Sequence, residues 1–374
     1  VNFDYSEDQK ALKDEARRFL SAAAPITVAR RVLNDKAGHD PVLWARVVEQ
    51  GWCGASIPEA YGGLGLGYVE LCALAEELGR AVASVPFASS VYQYAEALLV
   101  AGSDEQKLAL LPEIAAGTRV GTLALSEGPG PLTEAAIASR VSGGKLIGTK
   151  IPVTDGEMAT NAVVLAQSDG GIGLYLVDLS GPGVVRETVS TIDPTRGAAR
   201  LTFTDALAEP LGAAGQGMAL LSKIQDRAAI LIAFEQLGGA DRCLEMARDY
   251  ALERYAFGRQ IGSYQAIKHK LADMFVRNEV ARANAYYGAW ALSVEAPELP
   301  VAAAAARVAA SNAYWLASKE NIQTHGGIGV TWEADCQFFY RRARHLGLVL
   351  GAPRDWKRRL VSHLETRVAM EQAA

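Results

Sequence analysis

Cysteine is scarce, and the few there are do not cluster. The 374 residues hold four, Cys53, Cys72, Cys243 and Cys336, with no C-x-x-C pair among them. That spacing argues against a zinc knuckle or a disulfide framework, and it predicts a reducing, cytoplasmic setting. No apolar run approaches the roughly 18 residues that a membrane span needs. Val1-Asn2-Phe3-Asp4-Tyr5 offers neither a basic start nor an apolar signal core. Neither sign of charge dominates: 37 basic residues face 42 acidic ones, net −5, so a nucleic-acid binder driven by bulk charge is not expected. Metal-ligand spacing and internal repeats are also missing. What is present is an ordinary globular mixture, half hydrophobic and 21% charged, which excludes disorder as the main theme. The length exceeds the roughly 100–200 residues of one domain, so two or three cores are expected.

The first stretch reads as helix. Ser6 and Gln9 form an S-x-x-Q capping box, followed by Leu12, Ala16, Phe19 and Leu20 at helical spacing. A Gly-rich loop, Tyr61 to Gly67, leads into a helical run from Val69 to Leu78 that Gly79 is expected to end. Another helix begins at Gln106-Lys107 and closes at Pro112 or Gly117. Then the period changes. Val120–Leu125 is a strand candidate, Arg140–Ile147 a hairpin around Gly143-Gly144, and two apolar runs flank the turn Ser168–Gly171. Arg200–Thr204 alternates polar and apolar. From Met218 long helical patterns return, broken at Phe257–Ser263, Ala296–Pro300 and His325–Gly329. The expected architecture is α+β: a helical domain over 1–118, a β domain over 119–212 and helices over 213–374.

Three stretches carry a resemblance. Arg254-Tyr255-Ala256-Phe257-Gly258-Arg259-Gln260 with Gln265 and Leu271-Ala272-Asp273-Met274 resembles the C-terminal signature of the acyl-CoA dehydrogenase family. Gln323-Thr324-His325-Gly326-Gly327-Ile328-Gly329 is similar to its Q-x-x-G-G-x-G, and Pro58-Glu59-Ala60-Tyr61-Gly62-Gly63-Leu64-Gly65 to its P-E-x-Y-G-G-x-G. Together with the α–β–α order, the resemblance spans nearly the whole chain. It implies a middle β-barrel-like domain, a C-terminal four-helix bundle and FAD as cofactor. By that resemblance Arg254 and Phe257 contact the FAD of a neighbouring subunit. Gln265, Gln323, Gly326 and Gly327 belong to the same cofactor set. Leu125-Ser126-Glu127 matches a strand ending V-T-E, where a hydroxyl and backbone amides meet the flavin ring. Lys150-Ile151-Pro152-Val153-Thr154-Asp155-Gly156 matches K-x-W-I-T-N-G, placing Thr154 near flavin N5. Physically, a dinucleotide needs cations or amide donors for its pyrophosphate, and glycine permits close approach. Read without the resemblance, Arg254 is a helix-end dipole partner and Gly326-Gly327 a helix stop. His325 reads equally as a cofactor contact or an exposed loop histidine. Two departures stand out. Pro152 replaces the family tryptophan, and Gly128-Pro129-Gly130-Pro131-Leu132 replaces G-A-G-S-D.

Removing a proton α to a thioester needs a carboxylate over that carbon. One family position for it, counted from Arg342, falls here on Gly351-Ala352-Pro353. The other, counted back from Tyr250, falls on Ala228. Two carboxylates remain nearby. Glu235 lies on the helical face of Ala228, two turns along, in an apolar run that would raise its pKa. Asp226 precedes Arg227 and resembles an acid–Arg pair of some members if the helix shifts by two residues. The plainer alternatives are an arginine pair or subunit contact for Glu235, and a surface ion pair with Arg227 or Lys223 for Asp226. Arg341-Arg342-Ala343-Arg344-His345 reads as a tetramer contact, with CoA or cofactor phosphates as the alternative.

The resemblance implies desaturation of an acyl-CoA from fatty-acid or sterol side-chain degradation, with electrons passing to an electron-transfer flavoprotein. The expected assembly is a homotetramer, or a heterotetramer with a related chain. The missing glutamate motivates an alternative, a half-site subunit whose partner supplies the base. A flavin monooxygenase on the same fold is a further one.

Overall fold

The computed structural model describes residues 5–373; the N-terminal reading of Val1–Asp4 lies outside them. Helices come first: α1 (Glu7–Ala23), α2 (Ile26–Asp35), α3 (Pro41–Glu49), α4 (Tyr68–Arg80), a π-helical segment (Ala88–Ala95), α5 (Glu96–Ala101) and α6 (Asp104–Ala115). Strands follow: β1 (Gly121–Ala124), β2 (Arg140–Ser142), β3 (Lys145–Thr154), β4 (Asn161–Ser168), β5 (Gly171–Asp178), β6 (Val184–Thr188), β7 (Ala198–Leu207) and β8 (Glu209–Leu211). The chain then returns to helix: α7 (Gly217–Glu253), α8 (Gln265–Ser293), α9 (Leu299–His325), α10 (Cys336–Leu348) and α11 (Pro353–Ala373). A two-stranded ribbon, β9 (Tyr255–Ala256) and β10 (Arg259–Gln260), lies between α7 and α8.

Local chemistry explains the helix starts. Ser6 and Ser103 each accept the N3 amide, while Gln9 and Gln106 reach back to the cap, so both α1 and α6 open with a complete capping box. Pro112 sits inside α6 and does not close it; Gly117, at φ +67°, lies beyond its C-terminus. Gly79 does not end α4, which continues to Arg80. A Cβ at Gly79 would stand 1.8 Å from the Glu235 carbonyl oxygen, and one at Gly238 would stand 1.7 Å from that of Glu76. Each helix offers a glycine to the other's backbone, so α4 and α7 cross in direct main-chain contact. Gly79 therefore serves close approach rather than termination.

The contacts divide the chain into two compact units. One gathers the N-terminal residues through Ala29, Tyr68–Ala83 and the chain from Ala229 onward. The other gathers Arg30–Gly67 and Ser84–Ala228, so α7 contributes to both. The second unit holds the sheet, in the order β6-β7-β3-β2-β4-β5-β8, with β1 added parallel to β4. β4 is buried on both faces. Val163 and Leu165 join a core with Ile57, Tyr94, Leu98, Leu111 and Ile224, while Ala162, Val164 and Ala166 join a second core. That second core takes Tyr175 from β5 and Leu201 and Phe203 from β7, strands that are not neighbours in the sheet. The sheet therefore curls over itself but stays open, ending at β6 and β8.

In the first unit, α9 packs against α8, α10 and α11. A buried charge network ties α1, α4, α7 and α8: Glu76 receives Lys13 at 2.6 Å and Arg282 at 2.8 Å, and Arg282 also pairs with Asp241. No described helix is long and apolar enough to cross a membrane.

Candidate functional site

The second unit brings Ser126 and Thr154 onto adjacent chain segments. Ser126 follows β1, Thr154 ends β3, and both are half-buried. The Ile151 amide donates to Ser126 O at 2.8 Å, and the Thr122 hydroxyl donates to Thr154 O at 2.6 Å. Lys150, fully buried, donates to Leu125 O at 3.1 Å and to Glu127 Oε1 at 2.7 Å. The Glu127 carboxylate also accepts the Ala138 and Ser139 amides at 2.8 and 3.0 Å. Burial raises the Glu127 pKa, but the Lys150 bond and the two amides outweigh it, and the carboxyl sits below its ordinary value. Burial lowers the Lys150 ammonium despite Glu127. Desolvation acts on both partners and prevails only at the wholly buried lysine, and the pair acts as a brace for 125–127. Pro152, where the family has tryptophan, is exposed and follows a cis peptide bond.

The first unit presents the other set. Arg254 follows the end of α7, is exposed, and its carbonyl accepts the Ile261 amide at 2.8 Å. The β9–β10 ribbon turns through Phe257 at φ +54° and Gly258 at φ +82°, a two-residue turn of the I′ kind. Phe257 is 97% exposed at its tip. Tyr264 holds the ribbon by donating to Ala256 O at 3.0 Å, and Arg259 lies 4.0 Å over the Tyr264 ring. Gln265, the first residue of α8, is exposed. Gln323 is exposed in the last turn of α9, and Gly326, at φ +63°, caps that helix. A Cβ at Gly326 or Gly327 would meet nothing within 4 Å, so no neighbour requires glycine at either position. His325 is engaged internally: its ring stacks on Tyr250 at 4.2 Å, and Nδ1 lies 2.9 Å from Asn321 O.

The two candidate bases sit in different surroundings. Glu235, 4% exposed, directs Oε1 toward Arg342 Nη1 at 3.7 Å, and Arg342 donates to Ala83 O at 3.1 Å. Asp226 is also 4% exposed, so it lies in the interior rather than at the surface foreseen for it, because its face of α7 is covered. Its neighbour Arg227 holds Glu96 at 2.6 Å, again in the interior. Ala228 is buried, and Gly351 is exposed at φ +96°. Among the arginines read as a subunit contact, Arg342 is wholly buried and Arg344 lies 4.5 Å over the Trp315 ring.

Sequence reasoning missed the ribbon, because phenylalanine is a poor residue for positive φ. It also missed the partners Lys150–Glu127, Glu96–Arg227 and Asp155–Arg196. Motif membership of Lys150 and Asp155 was the one available signal.

The residues present fit a dinucleotide flavin. The first unit exposes a cation (Arg254), an aromatic face (Phe257), an amide side chain (Gln323) and an open glycine turn (Gly326-Gly327). The second supplies the half-buried hydroxyls of Ser126 and Thr154, backed by fixed strands.

Known proteins share this organisation. Residues 6–118 match the acyl-CoA dehydrogenase N-terminal domain, and residues 215–353 match the acyl-CoA dehydrogenase C-terminal domain. The acyl-CoA dehydrogenase IpdE2 of Mycobacterium tuberculosis is 33% identical over 359 residues, covering 96% of this chain and 98% of the relative. The solved steroid ACAD variant Tcur3481-Tcur3483 is 31% identical with a TM-score of 0.88, covering 97% of this chain and 99% of its own. The ChsE4-ChsE5 complex from Mycobacterium tuberculosis is 26% identical, also with a TM-score of 0.88, covering 98% and 99%. With both helical domains matched in order around the same middle β domain, the chain belongs to the acyl-CoA dehydrogenase family, flavoprotein oxidoreductases acting on the CH–CH group of acyl-CoA thioesters.

Proposed function

We propose that this chain binds FAD and takes part in the α,β-desaturation of an acyl-CoA, giving a trans-2-enoyl thioester, with electrons leaving to an electron-transfer flavoprotein. The observation that carries the reading is Phe257. An aromatic side chain 97% exposed on a left-handed backbone is unfavourable for an isolated fold, and it is understandable where a ring system from a neighbouring subunit covers it. In this reading Arg254 binds pyrophosphate as a fixed bidentate cation. Gln323 with the Gly326 and Gly327 amides holds the adenosine part, and Gln265 belongs to the same set. The Leu125-Ser126 segment and Thr154 orient the ring. Bound FAD supplies the acceptor for the β-hydride. The chain's own task in the reaction is to hold a carboxylate against the α-carbon, where it takes the proton.

A specific observation favours a second reading, in which a related chain supplies that carboxylate within a mixed tetramer. Glu235 is 4% exposed and directs its carboxylate to the buried Arg342 guanidinium, so it is engaged inside its own helical unit rather than presented to an acyl chain. Asp226 remains the alternative within this chain. The ChsE4-ChsE5 complex among the similar structures is consistent with a pairing of related chains. Anaerobic addition of straight-chain and steroid-side-chain acyl-CoA thioesters to the purified protein tests both readings. Bleaching of flavin by the chain alone supports a complete site. Bleaching only after co-expression with a related chain supports the mixed assembly. Arg254→Ala is expected to lose flavin on desalting, since a charge-assisted phosphate contact is worth about 1.5–3 kcal/mol; a variant that stays fully yellow would refute the assignment.

A further inference from the structure

The strand end that carries Thr154 is gripped at the next residue. Asp155 sits at φ +54° with 1% of its surface exposed. Its Oδ2 accepts Arg196 Nη2 at 2.6 Å and the Ser89 hydroxyl at 2.6 Å, while Arg196 Nε lies 3.4 Å from Oδ1. The two charged side chains are 0% and 2% exposed. The Ser89 hydroxyl also lies 3.0 Å from Pro86 O; its single proton goes to the nearer and charged acceptor. The backbone is held as well, with Asp155 N donating to Gly197 O at 2.8 Å. The loop bearing Arg196 is itself fixed, because the Thr195 hydroxyl and amide both donate to Asp193 Oδ1, at 2.5 and 3.2 Å. The π-helical segment and the 193–197 loop thus meet on one carboxylate, just past the end of β3.

A turn at positive φ would be served by asparagine or glycine. An ion pair sealed from water is a poor source of net stability, because desolvation offsets its attraction. Its distinctive property is direction: two-point contact from a planar guanidinium and a third donor fix both position and rotation of the carboxylate. Thr154, one residue away, stays half-exposed while its neighbour is sealed.

We propose that Asp155, together with Arg196 and Ser89, is a positioning residue that sets where the Thr154 peptide and hydroxyl stand against the flavin. The proposal rests on the FAD reading above. The clamp acts through Thr154 and touches no reacting atom.

The test uses the full-length protein in the assembly that takes up flavin. Asp155→Asn keeps the shape and the tolerance of positive φ while removing the charge. Ser89→Ala removes one donor and leaves the ion pair, so it remains informative if the first variant does not fold. Three quantities are read: FAD affinity of flavin-stripped protein by fluorescence quenching, melting temperature without flavin, and midpoint potential of the bound flavin. Ser89→Ala is expected to weaken FAD binding about five-fold, the size of one ordinary hydrogen bond, and Asp155→Asn at least about ten-fold, near the lower end for hydrogen bonds to charged groups. Both should displace the midpoint potential, which a loss of fold stability alone would not do. The role is overturned if the folding variants keep wild-type FAD affinity and potential, whether or not their flavin-free melting temperature falls. A wild-type protein that takes up no FAD in any assembly would overturn the FAD reading itself, and this role with it.

Discussion

At the residue scale, the sharpest question concerns Glu235. Its apolar neighbours Ile230, Leu231, Ile232, Ala233 and Phe234 are all fully buried, as the sequence pattern required. What the pattern did not contain is Arg342, more than a hundred residues away, which faces the carboxylate at 3.7 Å. Glu235→Gln is therefore expected to cost about 3 kcal/mol of stability by weakening a buried pair, seen as a lower denaturation midpoint. The double variant Glu235→Gln with Arg342→Met should recover part of that loss. Unchanged stability with abolished thioester-driven bleaching would instead assign Glu235 as the base. Glu127 yields a pH prediction. Burial opposes its ionisation, but Lys150 and two amides hold its folded pKa below the unfolded value. Its contribution is present above the unfolded pKa and is lost as pH falls through the folded one. Glu127→Gln should accordingly flatten the acid side of the melting-temperature profile and leave its slope near neutral pH unchanged.

At the scale of elements, the crossing of α4 and α7 is the most constrained contact. Alanine at Gly79 or Gly238 would place a methyl inside the other helix's carbonyl, so each substitution should lose at least about 3 kcal/mol or prevent folding. Gly347, helical in α10 with nothing within 4 Å of its missing Cβ, is the contrast. Gly347→Ala should stabilise by about 0.5–1 kcal/mol; equal losses at all three positions in chemical denaturation would contradict this picture. The β9–β10 ribbon separates fold from function in a similar way. Phe257→Asn suits the left-handed turn better than phenylalanine does. It should leave the flavin-free melting temperature unchanged or raised while weakening FAD uptake. A lowered melting temperature without flavin, with uptake intact, would show that the ring serves the fold.

At the scale of the whole molecule, exposed apolar side chains make the case for assembly. Phe275, Val276 and Val280 on α8 are each more than half exposed, as are Phe257, Val330 and Trp332. Several such residues on one helix mark an interaction surface. Light scattering is expected to report a dimer or tetramer whenever flavin is bound; a flavin-loaded monomer would contradict a cofactor site shared between subunits. Much of this organisation was legible in the chain. Capping boxes, the change of period near residue 119 and its return at 218, and the ordered glycine motifs depend on residues close in sequence. Those signals determined the α–β–α order and the family resemblance. Tertiary structure decided the rest: that Gly79 serves a helix crossing and not a helix end, that Glu235 meets Arg342, and that Asp155 is sealed by Arg196 and Ser89. The physical reason is common to all three. A buried charge or a missing Cβ takes its meaning from the atom it faces, and that atom comes from a segment that local periodicity does not connect to it.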